Sequence, residues 1–278
     1  MSQITMSRIT VPKITLAIHG AAGRMGRRLV ALGTQDAHFE VVAAIDHAAC
    51  MQVGKDAGEL AAVGKIGVAI SDQWPAAGSV QAVIDFSSPA GALVAMHQCA
   101  DRGLPLVLAT TGLEKEHHQL LHEIITKIPV CYSPSMSLAV NLTMKLAEQA
   151  SRVLRNVSSG VDVEIIERHH RYKEDSPSGT ALKFGQIIAD QMGLDKPMHG
   201  RHGQIGQRAR NEIGYHAVRT GDNPGEHTIV FGMLGETVEL RVAASNRDCY
   251  VQGAFAAAQF LQGKPAGLYS MSDVLGLA

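Results

Sequence analysis

The segment Lys13-Ile14-Thr15-Leu16-Ala17-Ile18-His19 runs apolar and alternating into Gly20-Ala21-Ala22-Gly23-Arg24-Met25-Gly26, and Arg27-Arg28-Leu29-Val30-Ala31-Leu32 follows with helical spacing. A strand that enters a GxxGxxG turn and leaves as a helix is compatible with few folds. Small residues let the backbone turn tightly, and the N–H groups that open the helix then face an anion, favoured also by the helix dipole. The glycines alone fit a plain strand–helix turn as well as a nucleotide site. Asp46 tips the balance toward a dinucleotide. It ends the apolar run 39–46, about 20 residues past the last loop glycine, where a carboxylate can accept hydrogen bonds from an adenosine ribose. The expected cofactor contacts here are Gly20, Ala21, Ala22, Gly23, Arg24, Met25 and Asp46. His47 adjoins the ribose position, and unlike arginine it is not a permanent cation for a 2′-phosphate.

Further apolar runs at 82–86, 104–110 and 128–133 are separated by helix-length stretches at 91–102 and 114–127. Strand–helix alternation with buried strands predicts an α/β fold of the Rossmann type, a doubly wound parallel sheet. Ligands bind such sheets at the carboxyl edge, so Ala109, Thr110 and Thr111, with Ser133, Pro134, Ser135 and Met136, become candidates for the nicotinamide end. Beyond Ser133 the texture changes. A helix over Leu138–Leu154 leads to strand-like VDVEIIERHH, and period-two runs recur at 213–219, 226–233 and 236–244 between turn signals. This predicts a second α+β domain with a mixed sheet. An alanine-rich helix over 249–261 is expected to return to the first domain.

Composition removes whole classes of function. With 25 Lys+Arg against 26 Asp+Glu the net charge is -1, too little positive field for a nucleic-acid or anionic-membrane binder. The cysteines, Cys50, Cys99, Cys131 and Cys249, form neither a CxxC pair nor a dense framework, as expected for reduced thiols in the cytoplasm. Residues 1–13 are polar and mixed, unlike a targeting segment, and no run approaches a membrane span. No metal site is expected.

The densest chemistry lies in Glu167-Arg168-His169-His170-Arg171-Tyr172-Lys173-Glu174-Asp175-Ser176-Pro177-Ser178-Gly179-Thr180. Two imidazoles and a lysine precede a Ser-Gly-Thr step that opens a helix over 181–192, an opening suited to a carboxylate. Leu182, Gly185, Ala189 and Met192 are expected to form its anchoring face. In a continuing strand His169 and His170 point to opposite faces, so spacing alone does not choose between them. Whichever faces the ligand can donate a proton, and Lys173 can hold or protonate an anion.

Together GAAGRMGR, ATTG, VEIIERHHRYKEDSPSGTA and IGYHAVRTGDNPGEHTIVF resemble the 4-hydroxy-tetrahydrodipicolinate (dihydrodipicolinate) reductase family over nearly the whole chain. The resemblance implies a dinucleotide-binding domain, residues 1–137 with 247–278, and a substrate-binding and oligomerisation domain, 138–246, assembled as a homotetramer. It implies that His169 exchanges the catalytic proton, that Lys173 is a second donor, and that His170, Gly179 and Thr180 hold a carboxylate of a small dicarboxylate substrate. It places the cofactor, NADH or NADPH, on Gly20 to Met25, Asp46, Ala109 to Thr111 and Ser133 to Met136. The chain departs from the family pattern at His47 (Arg in users of a 2′-phosphate), Ala109 (Gly), Ser135-Met136 (Asn-Phe), His202 (Glu) and Val242 (His). NADH is therefore expected to serve at least as well as NADPH. Two other readings exist: a dinucleotide sensor that has lost catalysis, which would not need the HHxxK block, and a semialdehyde dehydrogenase, whose thiohemiacetal chemistry would fall to Cys131.

Overall fold

The computed structural model describes residues 12–277. Residues 1–11, part of the polar start noted above, and Ala278 lie outside that range. The chain divides into two compact units, one running up to Pro134 and including Ala254–Ser270, the other Ser135–Gly253 with the residues from Met271 on.

Unit 1 is a seven-stranded parallel sheet. Its strands are β1 (Ile14–His19), β2 (Phe39–Ile45), β3 (Ile70–Ser71), β4 (Ala82–Asp85), β5 (Leu106–Leu108), β6 (Pro129–Tyr132) and β12 (Gly267–Tyr269), in the order β12-β6-β5-β4-β1-β2-β3. Leu16, Ala17 and Ile18 are all fully buried, as are Val83 and Ile84, because helices cover both faces of a doubly wound sheet. The covering helices include α1 (Arg24–Gln35), α3 (Pro89–Arg102) and α4 (Lys115–Ile124), with a short α2 (Ala57–Leu60) between β2 and β3. The chain leaves β1 for β2 on one side and later crosses to β4 on the other. The loops after β1 and β4 therefore part at the carboxyl edge, the topological switch point where this architecture takes ligands.

Unit 2 opens with α5 (Leu138–Leu154) and is built on β7 (Asp162–His169), β8 (Lys196–His199), β9 (Glu212–Arg219), β10 (Glu226–Met233) and β11 (Glu236–Ala243). The order is β11-β10-β7-β9-β8, with β7 parallel to β9 and antiparallel to β10, a mixed sheet. Helices α5 and α6 (Gly179–Met192) share a core with the inner face, where Val163, Ile165, Phe184, Ile188, Ile229 and Phe231 are buried. The anchoring face of α6 matches the expected one in part, since Gly185 is buried and Ala189 and Met192 pack against the core. Ala181, Phe184, Gly185 and Ile188 are buried and Leu182 is 46% exposed. A Cβ on Gly185 would lie 1.8 Å from the Tyr215 hydroxyl, so the helix presses its bare glycine onto β9.

Helix α7 (Asp248–Phe260) belongs to unit 1 from Ala254 onward, and there Phe255 stacks on Phe39 at 4.7 Å. The strand β12 that follows, and α8 (Met271–Val274), were not foreseen in the sequence. Among the described residues no helix is long and apolar enough to cross a membrane.

Candidate active site

In unit 1 the glycine loop has the geometry its sequence predicts. Gly20 takes a φ of +76°, and a Cβ there would stand 2.6 Å from the carbonyl oxygen of Phe86. A Cβ on Gly26 would lie 2.1 Å from the Gly20 carbonyl oxygen, so helix and loop touch backbone to backbone. Ser88, Ser137 and Ser178 cap α3, α5 and α6 with side-chain oxygens, whereas Gly23 at the start of α1 provides no such cap. The first N–H groups of that helix thus have no side-chain cap, an arrangement suited to an external anion. Asp46 has a second task beyond any ribose contact. Its Oδ2 accepts the N–H of Ala22 at 2.9 Å and its Oδ1 that of His47 at 2.9 Å, bracing the loop from β2. Arg27 ties itself to the loop by donating Nε–H to the Ala22 carbonyl. Arg24 is exposed, and the His47 side chain is 71% exposed with Nε2 3.8 Å from Asp46 Oδ1. Asp46, His47 and Cys50 also bring potential metal ligands within 4.8 Å of one another, but the reading of this edge as a dinucleotide site calls on no metal.

The later candidates divide between the units. Ala109 and Thr110 are buried after β5 and Thr111 is exposed; Ser133 is buried and Pro134 exposed after β6. Ser135 and Met136 open unit 2, and Met136 is 1% exposed, with its carbonyl packed against Gly253 of α7. Cys131, the nucleophile a semialdehyde dehydrogenase would need, is fully buried within β6, and that reading loses its reactive thiol.

In unit 2 the strand resolves the choice between the histidines. Period two places Glu167 and His169 on the inner face of β7, and His170 falls beyond its end. Glu167, 1% exposed, accepts four hydrogen bonds. His169 Nδ1 (2.6 Å) and Arg219 Nη1 (2.7 Å) donate to Oε2, and Arg219 Nη2 (2.8 Å) and the Ser178 N–H (3.0 Å) donate to Oε1. Burial alone would raise the Glu167 pKa, but the Arg219, His169 and Ser178 bonds outweigh it and hold the carboxyl below its ordinary value. His169 is itself held below the usual imidazole value, chiefly by burial, with Glu167 pulling the other way. An anionic Glu167 accepts a hydrogen bond from the Nδ1–H of His169 and leaves Nε2 to exchange a proton.

That ring borders a cavity of about 220 Å³ walled by Ser135, Thr180, Gly225, His227, Val242 and Tyr250 among others. The volume suits a molecule smaller than a typical drug, whose pockets start at about 300 Å³. A Cβ on Gly225 would come within 3.0 Å of His169 Nε2, so glycine keeps the reactive edge clear. Thr180 brings the first turn of α6 to the cavity, and Gly179 precedes it. Lys173 and His170 stand outside its wall; Lys173 Nζ is paired with Asp175 at 2.7 Å, and the two are joined through the turn by the Lys173 N–H to the His170 carbonyl.

Sequence reading missed His227, Arg219 and the role of Glu167. His227 Nε2 lies 3.1 Å from Ser178 Oγ, its ring meets His169 edge-on at 5.3 Å, and its pKa is pushed down to about 4, first by burial and then by His169. The signal for Glu167 was available: i and i+2 share a face in a strand.

The two domain models of dihydrodipicolinate reductase match this chain, the N-terminal one at residues 14–136 and the C-terminal one at 139–275. A 4-hydroxy-tetrahydrodipicolinate reductase of Rhodopirellula baltica is 58% identical over 271 residues, 95% of this chain and 97% of its own. One from Alkalilimnicola ehrlichii is 45% identical over 267 residues, covering 94% and 98%. The dipicolinate-bound dihydrodipicolinate reductase of Paenisporosarcina sp. TG-14 shares the fold, with a TM-score of 0.74 at 24% identity over 93% of this chain and 98% of that one. The chain belongs to the dihydrodipicolinate reductase family.

Proposed function

We propose that this protein reduces 4-hydroxy-tetrahydrodipicolinate to tetrahydrodipicolinate, with NADH or NADPH as reductant, in lysine and diaminopimelate biosynthesis. The observation that carries the reading is the buried Glu167–His169 pair at a small cavity whose wall includes the opening of α6. A dicarboxylate presents one carboxylate to the N–H groups at Gly179 and Thr180, aided by Lys173 and His170, and its negative charge favours the protonated form of His169. His169 then gives the Nε2 proton to the substrate as the hydride arrives, and water is lost. The coenzyme, when bound, supplies the hydride. Gly20 to Met25 receive its pyrophosphate, Asp46 its ribose, and Ala109 to Thr111 with Ser133 to Met136 its nicotinamide end.

NADH serves at least as well as NADPH, because His47 rather than arginine adjoins Asp46. The protein works in the cytoplasm, in keeping with four cysteines that are all free thiols. It works as a homotetramer, a reading supported by the outer face of the unit 2 sheet, where Ile166 is 42% and Val218 40% exposed with no helix of the unit over them. The deciding experiment follows oxidation of NADH and NADPH with freshly generated 4-hydroxy-tetrahydrodipicolinate, in the parent and in His169→Gln. Substrate-dependent oxidation that falls about 100- to 10,000-fold in the variant is expected. No oxidation by the parent sinks the reading and favours a dinucleotide sensor.

A further inference from the structure

The carboxyl edge of unit 1 holds a buried polar knot. Asp85, the last residue of β4, is fully buried, an expensive place for a carboxylate unless donors surround it. Three side chains donate to it. His19 Nδ1 and Ser87 Oγ each lie 2.6 Å from Oδ1, and Thr110 Oγ1 lies 2.6 Å from Oδ2. The Ser87 N–H in turn donates to Thr110 Oγ1 at 3.0 Å. His19 ends β1 and is followed at once by Gly20; Ser87 leads from β4 into α3; Thr110 leaves β5. Backbone bonds run in parallel, from the Phe86 N–H to the His19 carbonyl and from the Ala109 N–H to the Asp85 carbonyl. Gly91 in the first turn of α3 completes the fit, since a Cβ there would lie 2.5 Å from Ser87 Oγ.

A sheet core needs no carboxylate for stability, since apolar groups of similar volume often serve as well or better. This one stands where the loops after three adjacent strands begin. We infer that Asp85 is a positioning residue of the coenzyme site, fixing the glycine loop, the Ser87–Ser88 loop and the Thr110–Thr111 loop relative to one another. The inference rests on the reading of unit 1 as the dinucleotide-binding part. The substitution Asp85→Asn would preserve the shape but not the function: an amide offers one acceptor oxygen, so either the Thr110 hydroxyl hydrogen or the His19 and Ser87 donors lose the acceptor they have now.

Trp74, the sole tryptophan, lies with its ring centroid 5.1 Å from that of His19 and reports binding at this edge through energy transfer to NADH. Titration of the full chain with NADH, followed by Trp74 emission, is expected to give a Kd at least tenfold higher in Asp85→Asn. Smaller rises are expected in Thr110→Val and Ser87→Ala, which each release one loop and keep the test open if Asp85→Asn does not fold. In turnover the KM for NADH should rise by more than kcat falls, a split that general loss of folded protein would not produce. Wild-type Kd values in folded Asp85→Asn, or in both loop variants, would overturn the inference while leaving the coenzyme reading intact. Failure of the parent to bind either NADH or NADPH would overturn both.

Discussion

Replacing Glu167 by Gln changes one oxygen to an NH₂ group in a site with four donors, of which the two Arg219 nitrogens alone have further acceptors, the Val218 and Asp175 carbonyls. Whichever way the amide turns, two donors lose an acceptor. If the NH₂ replaces Oε1 it opposes Arg219 Nη2 and the Ser178 N–H; if it replaces Oε2 it opposes His169 Nδ1 and Arg219 Nη1. Arg219 loses half of its fork in both cases, and its charge is left beside a neutral amide. Breaking a buried ion pair from one side costs about 3–5 kcal/mol, against a total stability of about 5–15 kcal/mol for an ordinary domain. Thermal unfolding should therefore show a lower Tm with a folded baseline below it. The catalytic effect follows from His169. Glu167 favours its protonated form, so the variant lowers the proton affinity of an imidazole that burial has already depressed. The acid form becomes scarcer at any given pH. The expected result is a fall in kcat of about 100-fold or more, within the range for loss of a general acid. The fall of kcat/KM with rising pH should also begin at lower pH. Both are read from NADH oxidation on freshly generated substrate at several pH values. A folded Glu167→Gln with kcat within threefold of the parent and an unmoved pH profile would refute the argument.

His227 has a pKa of about 4 in the folded chain against about 6.5 when exposed, so the unfolded chain binds its proton first as pH falls. Stability should drop from about pH 6.5 down to about pH 4, and denaturant unfolding of His227→Gln should show a flatter slope across that window. Gly26→Ala forces a Cβ onto the Gly20 carbonyl, and an overpacking cost of about 1–3 kcal/mol in unfolding experiments should accompany a rise of at least roughly tenfold in the Kd for NADH. Lys173→Ala removes a charge-assisted contact of about 1.5–3 kcal/mol, so kcat/KM should fall at least roughly tenfold, with weaker inhibition by pyridine-2,6-dicarboxylate. For coenzyme choice, the parent should show no preference for NADPH above about tenfold, equivalent to about 1.4 kcal/mol in relative kcat/KM, and His47→Arg should move the ratio toward NADPH.

Elements were legible where their pattern ran long. The strand, glycine loop and helix at the start, α5 and β10 all follow their periodicity because each presents a continuous apolar face. Short edge strands left too little pattern. β3 has two residues and β12 three, and β8 carries Pro197, which removes a ladder donor and is tolerated on an edge. On α6 the expected face holds for Gly185, Ala189 and Met192 but takes in the exposed Leu182 and leaves out the buried Phe184 and Ile188, because the close approach of Gly185 to Tyr215, thirty positions away in the chain, is not visible in the periodicity of the helix.

The site residues that escaped sequence reading share a property. His19, Asp85, Glu167 and His227 are buried polar groups within apolar strands, and their partners lie 66, 52 and 49 positions away, as in His19–Asp85, Glu167–Arg219 and Ser178–His227. A search for chemistry by local clustering finds groups that crowd together in sequence, such as His169, His170 and Lys173, and passes over isolated ones. Burial is the more informative signal. A carboxylate inside a strand such as Ala82–Asp85 or Asp162–His169 must gather donors to exist there, and the elements that supply them become fixed to one another. Glu167 joins β7, β9 and the start of α6, the parts that orient His169. Asp85 joins the ends of β1, β4 and β5, the parts that carry the glycine loop. In each unit the buried acid lies one layer below the surface where a ligand is expected, so a charged residue in an otherwise apolar strand marks the scaffold of a site even when the groups that touch the ligand lie elsewhere.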